Sequence, residues 1–226
     1  MTEVAFTPYP DRDTLMRSLA DLVADQLRAA HASKGRATLA VPGGTTPGPF
    51  LEWLSQEDLE WADITVLLTD ERRVPEGSER SNLRLIKGTL VQNAASSVQL
   101  IDFNAGDGAL AQAASEIEAV LPIDVLVIGM GADMHTASLF PDAPQLGDAL
   151  AEDAPVLMPI QPASQPEERL TLTAPVLKAA GAAHILITGP EKKAALETAL
   201  TDGPAADAPI RVVLNAPCPV TVHYAE

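Results

Sequence analysis

The sequence predicts a three-layer α/β protein, a mostly parallel sheet with helices on both faces. Two observations carry this. Short, largely apolar runs at 37–41, 64–69, 125–128 and 184–188 alternate with longer segments whose apolar residues recur every three or four positions. That is the pattern of strands buried on both faces and joined by crossover helices. The runs also break into glycines or charges at their carboxyl ends, where such a sheet presents its loops to a ligand.

In order along the chain, a short strand at 4–6 precedes a helix from 11–13 to 32. Met16, Ala20, Val23 and Leu27 share one stripe of it, and Asp11 or Asp13 can cap its start. This helix reads as packing only. The strand 37–41 leads through PGGTTPGPF into a helix at 50–54. Gly43 and Gly44 let backbone N–H groups approach an anion, and Thr45 and Thr46 add hydroxyls at a helix entrance. A plain turn before a capped helix fits the same residues, and no lysine stands where a nucleotide P-loop requires one. The strand 64–69 ends at Asp70, Glu71, Arg72 and Arg73; a loop with Pro75 and Gly77 follows, and Ser81–Asn82 can cap a helix to 90. A short strand at 98–101 and a helix at 110–121 lead to the strand 125–128. There Gly129 and Gly131 precede Asp133 and His135, and the chain reads as helical from 136 to Pro141. An acid and a histidine at this edge are candidates for proton chemistry; a histidine merely packed beside the strand is the plainer alternative.

Residues 141–168, rich in Pro, Ala and acids, read as an excursion with a strand at 156–160. Arg169 opens a short strand, a helix at 174–179 ends at Gly181, and the strand 184–188 meets Gly189. GPEKK then opens a helix to 200. Lys192 and Lys193 in its first turn run against the helix dipole, so Lys192 is either a phosphate ligand or part of a solvated surface. After a loop at 203–209, segments 210–214 and 219–224 read as strands that close the sheet. No repeat and no linker divides the chain, so residues 1–226 read as one domain.

Composition removes whole classes of function. The net charge of −16 argues against nucleic acid, whose phosphates demand a basic surface. A small anion is still compatible, because charges beyond about 8–10 Å are screened, whereas opposite charges ~4 Å apart attract by roughly 4 kcal/mol. One cysteine, Cys218, rules out an internal disulfide and a thiolate metal cluster. No apolar run approaches the ~18 residues of a membrane span. MTEVAFTPYP has neither a basic region nor a long apolar run, so no signal peptide is read there and the expected location is the cytoplasm. GMGADM begins like a dinucleotide fingerprint but has Met134 at its third glycine position. There is no G-x-S-x-G elbow. His31, His135, His184 and His223 show no metal-ligand spacing, and His184 and His223, lying in strands, read as structural.

Five ordered motifs, PGGTTP (42–47), TDERRVP followed by SN (69–82), GMGADMHTASLFP (129–141), ERLTLT (168–173) and TGPEKK (188–193), resemble the 6-phosphogluconolactonase family over nearly the whole chain. The resemblance implies a modified Rossmann-like sheet, shared with glucosamine-6-phosphate deaminases and ribose-5-phosphate isomerases. It also implies hydrolysis of a phosphosugar δ-lactone to 6-phosphogluconate, in the pentose phosphate pathway, without metal or cofactor. Such a reaction needs an activated water, a stabilised oxyanion and a proton for the leaving ring oxygen. His135 is assigned the proton transfers. Asp70 or Asp133 would orient it, and Arg72 with backbone N–H groups near Gly129 and Gly131 would hold developing charge. Gly43, Gly44, Thr45, Thr46, Gly129, Gly131, Arg169 and Lys192 are expected to contact the phosphate and sugar, the last two by motif position.

The chain departs from the family pattern at Met134, usually Gly, and at Pro42, often Ser; Met134 would be strained if its φ is positive. Two other functions remain open. In an isomerase-deaminase of this fold the Asp-Gly-His motif is followed five residues later by a Glu, where this chain has Phe140, and a Tyr is usual at Arg72. A non-catalytic sugar-phosphate sensor would have no use for His135, and the 226 residues show no DNA-binding extension.

Overall fold

In the computed structural model, which describes residues 4–104 and 108–226, strands and helices alternate from the start. They run β1 (Ala5–Pro8), α1 (Arg12–Lys34), β2 (Ala37–Val41), α2 (Gly48–Leu54), β3 (Ile64–Leu68), β4 (Asp70–Arg72), α3 (Asn82–Thr89), β5 (Gln99–Leu100), α4 (Ala109–Val120) and β6 (Val125–Gly129). The second half follows as α5 (Leu146–Leu150), β7 (Leu157–Ile160), β8 (Arg169–Leu172), α6 (Ala174–Lys178), β9 (Ala182–Thr188), α7 (Pro190–Ala199), α8 (Arg211–Leu214) and β10 (Val220–Ala225). The helix α1 shows how local chemistry sets the limits. Asp11 accepts the Thr14 N–H at 2.7 Å to cap its start, and Gly35, at φ 71°, ends it in a left-handed turn that only glycine adopts freely. Leu15, Leu19, Val23 and Leu27 are fully buried on its inner stripe, each worth about 1.5–3 kcal/mol of transfer free energy.

Seven strands form one parallel sheet in the order β1-β10-β9-β6-β2-β3-β5. Every residue of β2 is buried, as are the first four of β6. Because successive side chains point to opposite faces, both faces are covered at the centre of the sheet. From β2 the chain builds outward through β3 and β5, then returns to the other side of β2 and builds outward through β6, β9 and β10. Consecutive connections therefore diverge between β2 and β6, and at such a switch point a crevice opens beyond the carboxyl ends of the strands.

A second, three-stranded sheet, β4-β8-β7, is antiparallel. The charged stretch after Thr69, read from sequence as a strand end and turn, is its first strand; Asp70, Glu71 and Arg72 pair with Thr171, Leu170 and Arg169. Two other readings are corrected. Residues 136–141 are not helical, because Ala137 takes φ 48° and the chain turns back on itself through a Thr136–Leu139 bridge. Residues 210–214 are not a strand but contain α8, in which the N–H groups of Val213 and Leu214 bond back to Ile210. A short, mostly apolar segment buried all round, here with Arg211 buried too, does not reveal its period, so the sequence pattern could not separate helix from strand there.

Candidate active site

The loop 42–47 leaves β2 and the loop 130–136 leaves β6, at the switch point between them. A cavity of about 310 Å³ lies there, lined by both loops and by Thr69, Asp70, Arg72, Asn82, Arg169, Leu186 and Lys192. Among the residues singled out from sequence, Gly43, Gly44, Thr45, Thr46, Asp70, Arg72, Gly129, Gly131, His135, Arg169 and Lys192 all line it. Asp133 does not; it lies beside His135.

The loop after β6 is wound tightly around that pair. Gly131 donates its N–H to the His135 carbonyl at 3.0 Å, and Met134 donates to the Gly131 carbonyl at 3.0 Å. Met134 sits at φ 64°, the left-handed backbone that a glycine would take without strain. Asp133 Oδ1 accepts the His135 backbone N–H at 3.2 Å and lies 2.5 Å from Nδ1. A carboxylate only accepts, so Nδ1 carries a proton, and it is Nε2 that keeps the lone pair whenever the ring is neutral. Burial works to raise the Asp133 carboxyl, but the hydrogen bond and charge of His135, with the loop N–H groups, carry it below the usual carboxylate value. A Cβ on Gly131 would lie 2.2 Å from Nδ1 and 2.5 Å from Asp133 Oδ1, so a side chain there has no room. Of the backbone N–H groups near Gly129 and Gly131, that of Gly131 is thus taken by the His135 carbonyl. The Gly129 carbonyl accepts the Thr136 hydroxyl at 2.8 Å.

Of the two acids left open as partners of His135, Asp133 makes the contact. Asp70, 6% exposed, instead accepts the Ser138 hydroxyl at 2.5 Å and faces Arg169 Nη1 at 3.5 Å. Its neighbour Glu71 turns inward. Its carboxylate accepts the N–H groups of Arg72, Asn82 and Leu83 and the Ser81 hydroxyl, fastening the start of α3 beneath the cavity. Burial raises the Glu71 carboxyl, against the lowering effect of those four donors.

The same cavity is rich in donors. Arg72 gives Nη1 to the Arg80 carbonyl at 2.7 Å, and Arg169 gives Nη2 to Gln165 at 2.8 Å. The Nε of each is buried with no acceptor among the described residues. The Lys192 ammonium, in the first turn of α7, forms no hydrogen bond or salt bridge among the described residues. The backbone N–H groups of Gly43, Gly44, Thr45 and Thr46 likewise donate to no acceptor among the described residues. Burial lowers the pKa of Arg169, opposed by Asp70, and burial also lowers that of Lys192. Unspent donors and positive charge gathered in a polar cleft fit an anionic group.

Asn82 and Phe140 are among the lining or contacting residues to which the sequence assigned no site role. Asn82, read there only as a helix cap, donates to the Asp70 carbonyl at 2.9 Å, and its carboxamide fills the space a Gly43 side chain would need; Ser81 is the cap instead. The SN pair after TDERRVP was the available signal. Phe140 stacks on the His135 ring, centroids 4.0 Å apart and planes 16° from parallel. Among the described residues no group of three or more His, Cys, Asp or Glu side chains is placed to hold a metal ion, and no helix is long and apolar enough to cross a membrane.

Comparison with known proteins agrees with this geometry. A family model described as glucosamine-6-phosphate isomerases/6-phosphogluconolactonase matches residues 10–222. A 6-phosphogluconolactonase of Mesorhizobium japonicum is 43% identical over 96% of this chain and 93% of its own. One of Pseudomonas aeruginosa is 42% identical over 92% and 89%. The crystal structure of a 6-phosphogluconolactonase from Shewanella baltica superimposes with a TM-score of 0.94 at 31% identity, covering 99% of this chain and 98% of that one. By sequence and by fold, the chain belongs to the glucosamine-6-phosphate isomerase/6-phosphogluconolactonase family.

Proposed function

We propose that the protein hydrolyses 6-phospho-D-glucono-1,5-lactone to 6-phosphogluconate, with His135 as general base and then general acid. The observation that carries this reading is that His135, held at Nδ1 by Asp133, lines the same cavity as Arg72, Arg169, Lys192 and the loop 43–46. The donors, Arg72, Arg169, Lys192 and the loop 43–46, suit the phosphate and the sugar hydroxyls. The pair suits the lactone carbonyl at the other end.

With Nδ1–H held by Asp133, Nε2 takes a proton from water as the water oxygen adds to the lactone carbonyl carbon. Asp133 stabilises the imidazolium that forms. The tetrahedral oxyanion collapses, the bond from that carbon to the ring oxygen breaks, and Nε2–H returns its proton to the departing alkoxide. The products are a hydroxyl and a carboxylic acid, which loses the water's remaining proton to solvent to become the carboxylate, with no change in redox state. Arg72, at the cavity wall, supplies positive charge to the oxyanion or the phosphate. Phe140 in place of the deaminase carboxylate, and Arg72 in place of its tyrosine, favour lactone opening over the isomerase-deaminase reaction.

The test is hydrolysis of freshly prepared 6-phosphogluconolactone, followed by proton release and corrected for spontaneous opening. Wild-type protein accelerates it, and His135→Asn folds and binds 6-phosphogluconate but turns over about 10²–10⁴-fold more slowly. A folded His135→Asn variant with near-normal turnover removes His135 from the mechanism.

A further inference from the structure

We infer that Phe140 is a positioning residue for His135, one that fixes the plane of the imidazole and holds it in the single tautomer needed for proton transfer. The inference rests on the lactonase reading for its kinetic consequence, while its structural content is independent of that reading. A histidine ring turns about its Cβ–Cγ bond in a broad torsional well. The hydrogen bond from Nδ1 to Asp133 restrains one atom of the ring and leaves a swing about that contact. Gly131 borders the Nδ1–Cε1 edge so closely that a single added carbon would lie 2.2–2.3 Å from those atoms. What remains is the ring face, and Phe140 covers it, with centroids 4.0 Å apart and planes within 16°.

The backbone is shaped to bring this about. Were residues 136–141 helical, Phe140 would be carried onward, away from His135. Instead Thr136 anchors its hydroxyl on the Gly129 carbonyl at 2.8 Å, and Ala137 takes φ 48°. Leu139 N–H then closes on the Thr136 carbonyl at 2.9 Å, so the chain doubles back and lays Phe140 on His135. Phe140 is itself immobilised at 2% exposure. Its ring also lies 5.3 Å from the Arg169 guanidinium carbon. One rigid ring therefore touches both the base and a cation that lines the cavity. The electron-rich face of the ring favours the cationic imidazolium formed when Nε2 takes its proton.

A phenylalanine buried merely for packing would affect stability and nothing else, so the test reads His135 directly. In protein labelled with ¹³C and ¹⁵N at histidine, the His135 Cε1–H resonance of the wild type is expected upfield of an ordinary histidine, shifted by the Phe140 ring current. Its nitrogen shifts are expected to show one tautomer, protonated at Nδ1. Phe140→Leu loses the upfield shift and mixes the tautomers, and kcat falls about 10-fold or more while KM stays within about threefold. Phe140→Tyr, which keeps the ring, restores both. An unshifted His135 resonance in the wild type overturns the inference, as does a folded Phe140→Leu variant that keeps one tautomer and normal kcat. If Phe140→Leu does not fold, the wild-type resonance alone decides. Wild-type protein that fails to open the lactone defeats the functional reading, and the resonance still decides the role of Phe140.

Discussion

Arg72 and Arg169 are paired directly across the antiparallel ladder of β4 and β8, like charge against like charge. Directly opposed like charges destabilise a sheet, and the repulsion is visible in Arg169, whose pKa is lowered first by burial and also by Arg72. Asp70 and Glu167 offset part of it. A phosphate placed between the two guanidiniums would turn the repulsion into a shared attraction.

Arg169→Ala and Lys192→Ala are accordingly expected to weaken binding of 6-phosphogluconate by tenfold or more, at about 1.5–3 kcal/mol for a hydrogen bond to a charged group, and to leave binding of unphosphorylated gluconate nearly unchanged. Titration calorimetry with both ligands checks this. Equal losses for the two would show that these side chains do not read the phosphate.

Two glycines of one loop should behave oppositely. Gly131→Ala places a carbon 2.2 Å from His135 Nδ1 and displaces the Asp133–His135 pair, whereas Gly129 has open space where its Cβ would go. A displacement on the order of 1 Å can cost about 10²-fold in rate. Gly131→Ala is therefore expected to fold and lose about that much turnover, with Gly129→Ala close to wild type. Comparable kinetics in the two variants would break the link between Gly131 and the histidine.

A buried chain of rings away from the site sets the acid stability. The Tyr9 hydroxyl lies 2.9 Å from His223 Nδ1, His223 Nε2 lies 3.0 Å from His184 Nδ1, and His184 Nε2 lies 2.8 Å from Gln26 Oε1. One arrangement satisfies every atom: Tyr9 donates to His223, His223 to His184, and His184 to Gln26. It uses both histidines neutral. Burial lowers His184 to about 4, and burial with the neighbouring His184 lowers His223 to about 3. The unfolded chain takes up these protons near pH 6.5 and the native one does not. The stabilisation is thus fully present above about 6.5 and is lost as pH falls toward the folded values, by roughly 1.4 kcal/mol per unit for each histidine. Urea melts between pH 7.5 and 5.5 should show this loss, and His184→Gln with His223→Gln should flatten it. An equal slope in the double variant would assign the acid loss to other groups.

The central sheet was legible because its inner strands are buried on both faces and read as largely apolar runs, and the cavity because glycines and charges stop those runs at one edge. The second sheet was not. Asp70, Glu71 and Arg72 carry no strand signature, and their pairing with residues 169–171 spans nearly a hundred positions of chain. The choice of Asp133 over Asp70 as the partner of His135 also lay beyond the pattern, since both acids reach the same edge and only the turn of the 130–135 backbone separates them. Phe140 was visible as a residue but not as a contact, because the turn at Ala137 that returns it to His135 breaks the helical reading of that segment.

The position of β10 has a consequence for biosynthesis. The strand contributed by residues 220–225 is not at the rim of the sheet; it lies between β9 and β1, pairing with both. While a ribosome has made only the first two hundred or so residues, β1 has no neighbour and the buried strand β9 presents a bare edge, the kind of surface that recruits other chains. The sheet closes only when its last strand emerges. A nascent or truncated chain lacking residues 220–225 should therefore depend on chaperones for its solubility.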